Sequence, residues 1–225
     1  MVFRIAALLG LLGAMGASAQ ELSSDQDKLS YAIGYQIGTD FKYRDMDLNM
    51  ETVIRALRDA INEQDPAVPE QEMAAMLRAM QERMQAEQLE KFKQLAEENK
   101  QKSEQFLADN KSKKNIVVLP SGVQYRIIEE GEGSRPTAES EVVVHYRSST
   151  MNGLEFDSSF ARGEPVTFKV NQVIKGWQEI LPLMKTGATW QVFVPPELAY
   201  GIRGQRPVGP NEALVFDINL VEVKS

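Results

Sequence analysis

The sequence predicts an α+β protein. An all-α N-terminal region and a very long connecting helix lead to a C-terminal antiparallel sheet packed on one short helix. Three observations predict it. Apolar residues recur at three- and four-residue spacing in segments before about residue 114, as on amphipathic helices. From Asn115 the pattern changes to short β segments divided by polar and Gly/Pro turns. Six of the ten large aromatics from Asn115 onward fall in two stretches, Val144–Ser159 and Asn171–Gly201, which is how a small β domain gathers one apolar cavity.

The predicted organisation has four parts: a signal segment at 1–19, a helical region at 20–69, the connecting helix at 70–114 and the β-rich domain at 115–225. Residues 1–19 carry one base, Arg4, then an apolar run from Ile5 to Met15, then Ala17-Ser18-Ala19. That is the layout of a cleaved secretory signal. A membrane anchor is the alternative, but the run falls short of the ~20 apolar residues a spanning helix needs, so no transmembrane segment is expected in the mature protein. The chain has no cysteine, so a lipid-modified cysteine and disulfides are both excluded. With Arg4 removed, 24 of the 25 bases stand against 32 acids, a formal charge of −8. An acidic chain whose only basic run is Lys111–Lys114 is poorly suited to nucleic acid or an anionic lipid surface.

Between Asp25 and Gln64, Leu29, Ile33, Ile37 and Phe41 repeat every four residues, and Val53, Ile54, Leu57 and Ile61 at three and four. Two amphipathic helices follow, with a turn at Asp47–Asn49. Helices this short cannot bury their stripes on each other, so they need more chain or a second copy of themselves. Asp65–Pro69 breaks the pattern. A third helix starts near Glu70 and meets no proline or glycine until Pro120. Met73, Met76, Leu77, Met80 and Met84, extended by Leu89, Phe92, Leu95 and Ala96, form an apolar stripe on its first half, expected to be a dimer interface. Adaptable methionines gripping apolar clients are the alternative. Glu97–Lys114 is mostly charged or polar and is expected to be a solvated shaft.

In the C-terminal domain, strands are expected at Val123–Glu129, Glu141–Arg147, around Val166–Val170, at Thr189–Val194 and from Ala213 to Val223. Turns fall at Gly131–Pro136 and Met151–Gly153, and a long loop runs to Asn211. A short helix from Trp177 is cut off by Pro182, which cannot donate to the helix ladder. Alternation through Val142–Tyr146 places Tyr146 on one face with Val142 and Val144 and turns His145 to the other. A buried tyrosine hydroxyl needs a partner, and Asp157 is the nearest carboxylate able to hold one.

Five motifs now stand in order: VHY, then NG and FDSS, then VIKGW, then LAYG, then LVFDINL. Over some 100 residues they resemble the FK506-binding-protein family of peptidyl-prolyl isomerases. The signal, the two small helices containing YAIGYQIG and the very long helix are similar to the Mip and FkpA subgroup of exported bacterial members. The resemblance implies a half-barrel sheet curled around one helix, with a hydrophobic pocket for a proline ring. It implies aromatic walls at Tyr146, Phe156, Tyr200 and Phe216, a floor at Trp177, and a flank at Val173 and Ile174. The Ile174 backbone N–H would donate to a substrate or inhibitor carbonyl. Asp157 and Arg162 fall on the polar rim and Val208 on the long loop.

Its expected partners are Xaa-Pro segments of unfolded exported proteins, macrolide inhibitors of the FK506 and rapamycin type, and a second copy through the N-terminal helices. The expected location is the periplasm, with outer-membrane or surface association left open. No cofactor and no metal are expected. One histidine and no cysteine exclude thiol catalysis and a Cys/His zinc cluster, no nucleophile-elbow motif supports a serine hydrolase, and the acids show no metal-ligand spacing. A non-catalytic client-binding chaperone or adhesion factor is the competing function. Trp177, Phe156 and Phe216 could be plain core, Asp157 a turn or cap residue, Arg162 a solvated charge, and His145 structural.

Three places depart from the family pattern. Arg147-Ser148 replaces Thr-Gly after VHY, Val166 replaces a pocket-lining phenylalanine after Pro165, and Arg206-Pro207-Val208 replaces the aromatic or isoleucine pair near the loop tip.

Overall fold

The computed structural model describes residues 22–44 and 46–224. The predicted signal segment lies outside the described residues. Backbone contacts divide the chain into two units, Met1–Met73 and Ala74–Ser225.

In the first unit, α1 (Asp25–Tyr43) and α2 (Met50–Ile61) start on side-chain caps: the Ser24 hydroxyl accepts from the Asp27 N–H, and the Asn49 side chain accepts from the Thr52 N–H. Each such cap satisfies a donor the helix itself leaves orphaned. Neither helix has a buried residue. Leu29, Ile33, Leu57 and Ile61 are between 50% and 80% exposed, and a Cβ on Gly34 or Gly38 would meet nothing within 4 Å. The apolar stripes read from the sequence are therefore formed and uncovered. Helix α3 (Glu70–Lys111) begins directly after Pro69, with Glu70 and Glu72 in its first turn, where the helix dipole favours acids.

The second unit is the sheet domain with the later part of α3. Strands β1 (Val117–Val118), β2 (Gln124–Glu129), β3 (Glu141–Thr150), β4 (Glu155–Ser158), β5 (Val166–Lys169), β6 (Thr189–Val194) and β7 (Leu214–Lys224) form one antiparallel sheet in the order β1-β2-β6-β7-β3-β4, with β5 on β3. Two short helices complete it, α4 (Ser159–Arg162) and α5 (Lys175–Ile180). A 3₁₀ turn at Leu181–Leu183 ends α5, with Pro182 inside it. Trp177 and Ile180 of α5 share one core with Val142, Val144, Tyr146, Val192, Val194, Phe216 and Ile218 from the strands.

Gly176 allows that contact. A Cβ there would stand 2.5 Å from Val194 Cγ1 and 3.0 Å from Cγ2, and a β-branched neighbour has little freedom to turn aside. Gly176→Ala is therefore expected to cost about 1–3 kcal/mol, as overpacking does. Urea unfolding measures it, and Val194→Ala in the same chain should recover part of the loss.

The structure corrects several expectations. The sheet has seven strands rather than about five. Strand β3 does not stop at Arg147: it pairs with β7 from Glu141 to Thr150, and Arg147 lies over β4, its Nε 3.1 Å from Glu155 Oε2. The stretch Glu97–Lys114 is not solvated all round: one face of its helical part is packed. Ala96, Asn99, Ser103 and Asn110 are buried, Phe106 packs against Phe193 with ring centroids 6.1 Å apart, and Asn110 Nδ2 donates to Gln124 Oε1 at 2.9 Å. The buried positions keep helical spacing, but amides and hydroxyls fill them, so the seam lacks the apolar signal that marks a packed face.

Candidate active site

Strand β3 alternates buried and partly exposed residues, and its inner face carries Val142, Val144, Tyr146, Ser148 and Thr150. His145 points the other way, as expected: its Nδ1 lies 3.1 Å from Ser159 Oγ and its ring stacks on Phe160 at 4.8 Å. Ser159 is fully buried, and its hydroxyl accepts from the Tyr146 N–H at 2.7 Å, which docks α4 on β3 beside the tyrosine. Helix α4 itself is capped by Ser158, whose side chain accepts from the Ala161 N–H. The cap is Ser158 and not Asp157, which leaves the Asp157 carboxylate for other work.

A cavity of about 260 Å³ opens on this inner face, lined by Tyr146, Ser148, Phe156, Asp157, Phe168, Gln172, Val173, Ile174, Trp177, Tyr200 and Phe216. Trp177 is its aromatic hub. Tyr146, Phe168 and Phe216 stand nearly perpendicular to the Trp177 ring, at centroid distances of 5.5, 5.9 and 5.4 Å. Edge-to-face contacts of this kind fix ring orientation as well as adding stability. The indole Nε1 of Trp177 is buried without a partner among the described residues.

Polar groups converge at one side. The Tyr146 hydroxyl donates to Asp157 Oδ2 at 2.6 Å, Arg162 Nη2 donates to the Tyr146 oxygen at 2.9 Å, and Arg162 Nη1 bonds Asp157 Oδ1. The guanidinium also sits over the tyrosine ring, 5.6 Å from its centroid. Burial pushes the Asp157 carboxyl up, but the hydrogen bonds from Tyr146 and Arg162 and the charge of Arg162 outweigh it, and the net shift is below the ordinary 3.8. Burial, and then the bond to Asp157, raise Tyr146. Burial, and then the charge of Asp157, raise Tyr200. Both phenols thus keep their protons well past neutral pH. Tyr200 makes no hydrogen bond to a described residue, and the Ile174 N–H, at the start of α5, likewise donates to none of them. Gln178 Nε2 donates to the Val173 carbonyl at 2.7 Å and steadies that flank.

Sequence comparison places this geometry in a family. Residues 26–127 match the family described as "Domain amino terminal to FKBP-type peptidyl-prolyl isomerase", and residues 132–221 match "FKBP-type peptidyl-prolyl cis-trans isomerase". The chain belongs to the FKBP-type peptidyl-prolyl cis-trans isomerases. It is 44% identical over 223 residues to "Outer membrane protein MIP" of Legionella longbeachae, covering 97% of this chain and 96% of that one. It is 42% identical over 215 residues to "Peptidyl-prolyl cis-trans isomerase Mip" of Coxiella burnetii, covering 95% and 94%. The crystal structure of FkpA from Escherichia coli superposes with a TM-score of 0.72 at 31% identity, over 90% of this chain and 98% of that one.

Within this FKBP-type domain, eight of the residues named from sequence line the cavity: Tyr146, Phe156, Asp157, Val173, Ile174, Trp177, Tyr200 and Phe216. Arg162 does not line the cavity but bonds two residues that do, Asp157 and Tyr146. Val208 does not line it. It is 4% exposed and packed in the core, its N–H donating to the Gln205 carbonyl at 2.7 Å. Sequence reasoning missed Ser148, Gln172 and Phe168. Phe168 was within reach of a simple rule: two residues beyond Val166 on β5, it shares the inward face. It supplies an aromatic wall where Val166 does not line the cavity.

Proposed function

We propose that this isomerase assists the folding of exported proteins, binding the prolyl ring of an Xaa-Pro segment in the Trp177 cavity, with a second copy joined through the N-terminal helices. The observation that carries the site is the convergence of one aromatic floor with two donors that have no partner among the described residues, the Tyr200 hydroxyl and the Ile174 N–H. Rotation about a prolyl amide is slow because resonance sets a barrier of about 18–20 kcal/mol, and no bond is made or broken. The twisted transition state has lost that resonance and carries less charge separation than the planar amide. An apolar cavity therefore favours the twisted form relative to the planar one. Phe156, Val173, Trp177 and Phe216 cradle the ring, Tyr200 and Ile174 hold the flanking carbonyls, and Asp157 with Tyr146 and Arg162 fixes the wall. Macrolides that mimic a prolyl dicarbonyl would compete for the same cavity.

A protease-free assay of cis-to-trans relaxation in a short Xaa-Pro peptide tests this. Tyr200→Phe removes one hydrogen bond to substrate and is expected to lower kcat/KM about 5- to 10-fold with thermal unfolding unchanged. Wild-type rates in that variant would remove Tyr200 from the site.

The predicted signal at 1–19 supports periplasmic delivery, and among the described residues no helix is long and apolar enough to cross a membrane. Apolar residues of α1 and α2 that a second copy leaves exposed favour a second, additional activity, holding unfolded clients. A chain beginning at Glu90 keeps the buried residues Ala96, Asn99, Ser103 and Asn110 and therefore the cover of the sheet domain. It is expected to isomerise short peptides at the full rate while losing suppression of client aggregation, through loss of paired sites.

A further inference from the structure

We infer that Ser103 and Asn211 are positioning residues for the reaction: they clamp the loop that follows Tyr200 onto the connecting helix, which makes α3 part of the catalytic scaffold. The inference rests on the assignment of the Tyr200 hydroxyl as a donor to the substrate.

The loop leaves the cavity at Tyr200 and returns to β7 through Asn211. Its base is closed by the Asn211 N–H, which donates to the carbonyl of Gly201, the residue next to Tyr200, at 2.9 Å. Asn211 stands at φ 53°, a left-handed conformation that asparagine tolerates better than most side chains. Its other two polar ends both reach α3. The side-chain amide donates to the Ala96 carbonyl at 3.1 Å, and the backbone carbonyl accepts from Ser103 Oγ at 2.9 Å. Ser103 Oγ in turn accepts from the Ala213 N–H at 2.8 Å, just ahead of β7.

One turn earlier on α3, Asn99 Nδ2 donates to the Pro210 carbonyl at 2.9 Å. The loop comes so close that a Cβ on Gly209 would lie 2.9 Å from the same nitrogen. Ala96, Asn99 and Ser103 fall on one helix face and are at most 9% exposed. Hydrogen bonds sheltered from water hold geometry more firmly than exposed ones. The residue that would touch the substrate thus sits at the mouth of a loop whose base is fixed by α3. The other end of the same seam, Asn110 with Gln124, holds α3 against β2 without touching that loop.

The test uses the full-length protein and measures kcat, KM and Tm in the peptide relaxation assay. Ser103→Ala and Asn211→Gly, the second of which keeps the left-handed backbone, are expected to lower kcat about 5- to 10-fold with KM within about twofold. Ser103→Thr keeps the oxygen and is expected to retain the rate. Asn110→Ala should lower Tm to a similar extent and leave kcat within about twofold. In a Tyr200→Phe background, Ser103→Ala should cost nothing more, because it acts through that hydroxyl. Wild-type kcat in both loop variants would overturn the inference, as would an equal loss in Asn110→Ala or an undiminished loss in the Tyr200→Phe background. Wild-type activity in Tyr200→Phe alone would overturn the role of Tyr200 and this inference with it. A Tyr200→Phe defect beside normal loop variants would overturn this inference only.

Discussion

Trp177→Ala is expected to cost about 3–5 kcal/mol of folding stability and to abolish binding of prolyl peptides by the domain that still folds. The side chain is 4% exposed and lies in the core cluster, so its removal opens a void that the perpendicular rings of Tyr146, Phe168 and Phe216 cannot collapse into without leaving their own contacts. The same void takes away the floor on which the prolyl ring would rest. Trp177→Phe separates the two effects, since a smaller ring fills part of the space. It should fold with a smaller loss of stability and still show lower kcat/KM. Urea unfolding together with calorimetric titration of a prolyl peptide checks both. Full peptide affinity in a folded Trp177→Ala protein would move the binding site elsewhere.

Asp157→Ala should lower kcat/KM about 10- to 100-fold, the value of losing charge-assisted hydrogen bonds of roughly 1.5–3 kcal/mol, with a smaller loss of folding stability at this half-exposed position. Without the carboxylate, the Tyr146 hydroxyl loses its acceptor and the Arg162 guanidinium loses its anchor, so the wall of the cavity loosens. The sign of the pH dependence follows from the direction of the shift. A carboxyl held below its unfolded value contributes stability that is complete above the ordinary 3.8 and is lost as pH falls through the folded value. The network should therefore stay intact from neutral pH down through the ordinary 3.8 and fail only below it. Asp157→Asn should erase that acidic limb in the relaxation rate and in the Tyr146 ring resonances. An identical limb in Asp157→Asn would assign it to another group.

Two parts of this site were legible from the residues themselves, and the other lining residues only through the resemblance of the five motifs. Alternation along β3 separated Tyr146 from His145, and the spacing from Tyr146 to Asp157 suggested their hydrogen bond before any fold was known. What escaped was of two kinds. The β4–α4 corner is only eight residues long, too short for a periodic signal, yet it sets Asp157 and Arg162 on the same tyrosine. The seam on α3 has the right period but the wrong chemistry. Asn99, Ser103 and Asn110 read as solvated because polar side chains on a helix usually face water, and only the loop and strand groups they meet, more than 100 residues away for Asn99 and Ser103, offset the cost of burying them.

The most direct test of the prolyl cavity is an intermolecular NOE experiment on the isomerase with an Xaa-Pro peptide, following the two indole N–H resonances. Trp177 and Trp190 both carry a buried Nε1 with no partner among the described residues, but of the two only Trp177 lines the cavity, while Trp190 stacks on Tyr125 at 4.4 Å. Cross-peaks from the proline ring protons to Trp177, with the Trp190 indole unmoved, are the predicted result. Proline contacts confined to Trp190, or to the uncovered helices of the first unit, would contradict it.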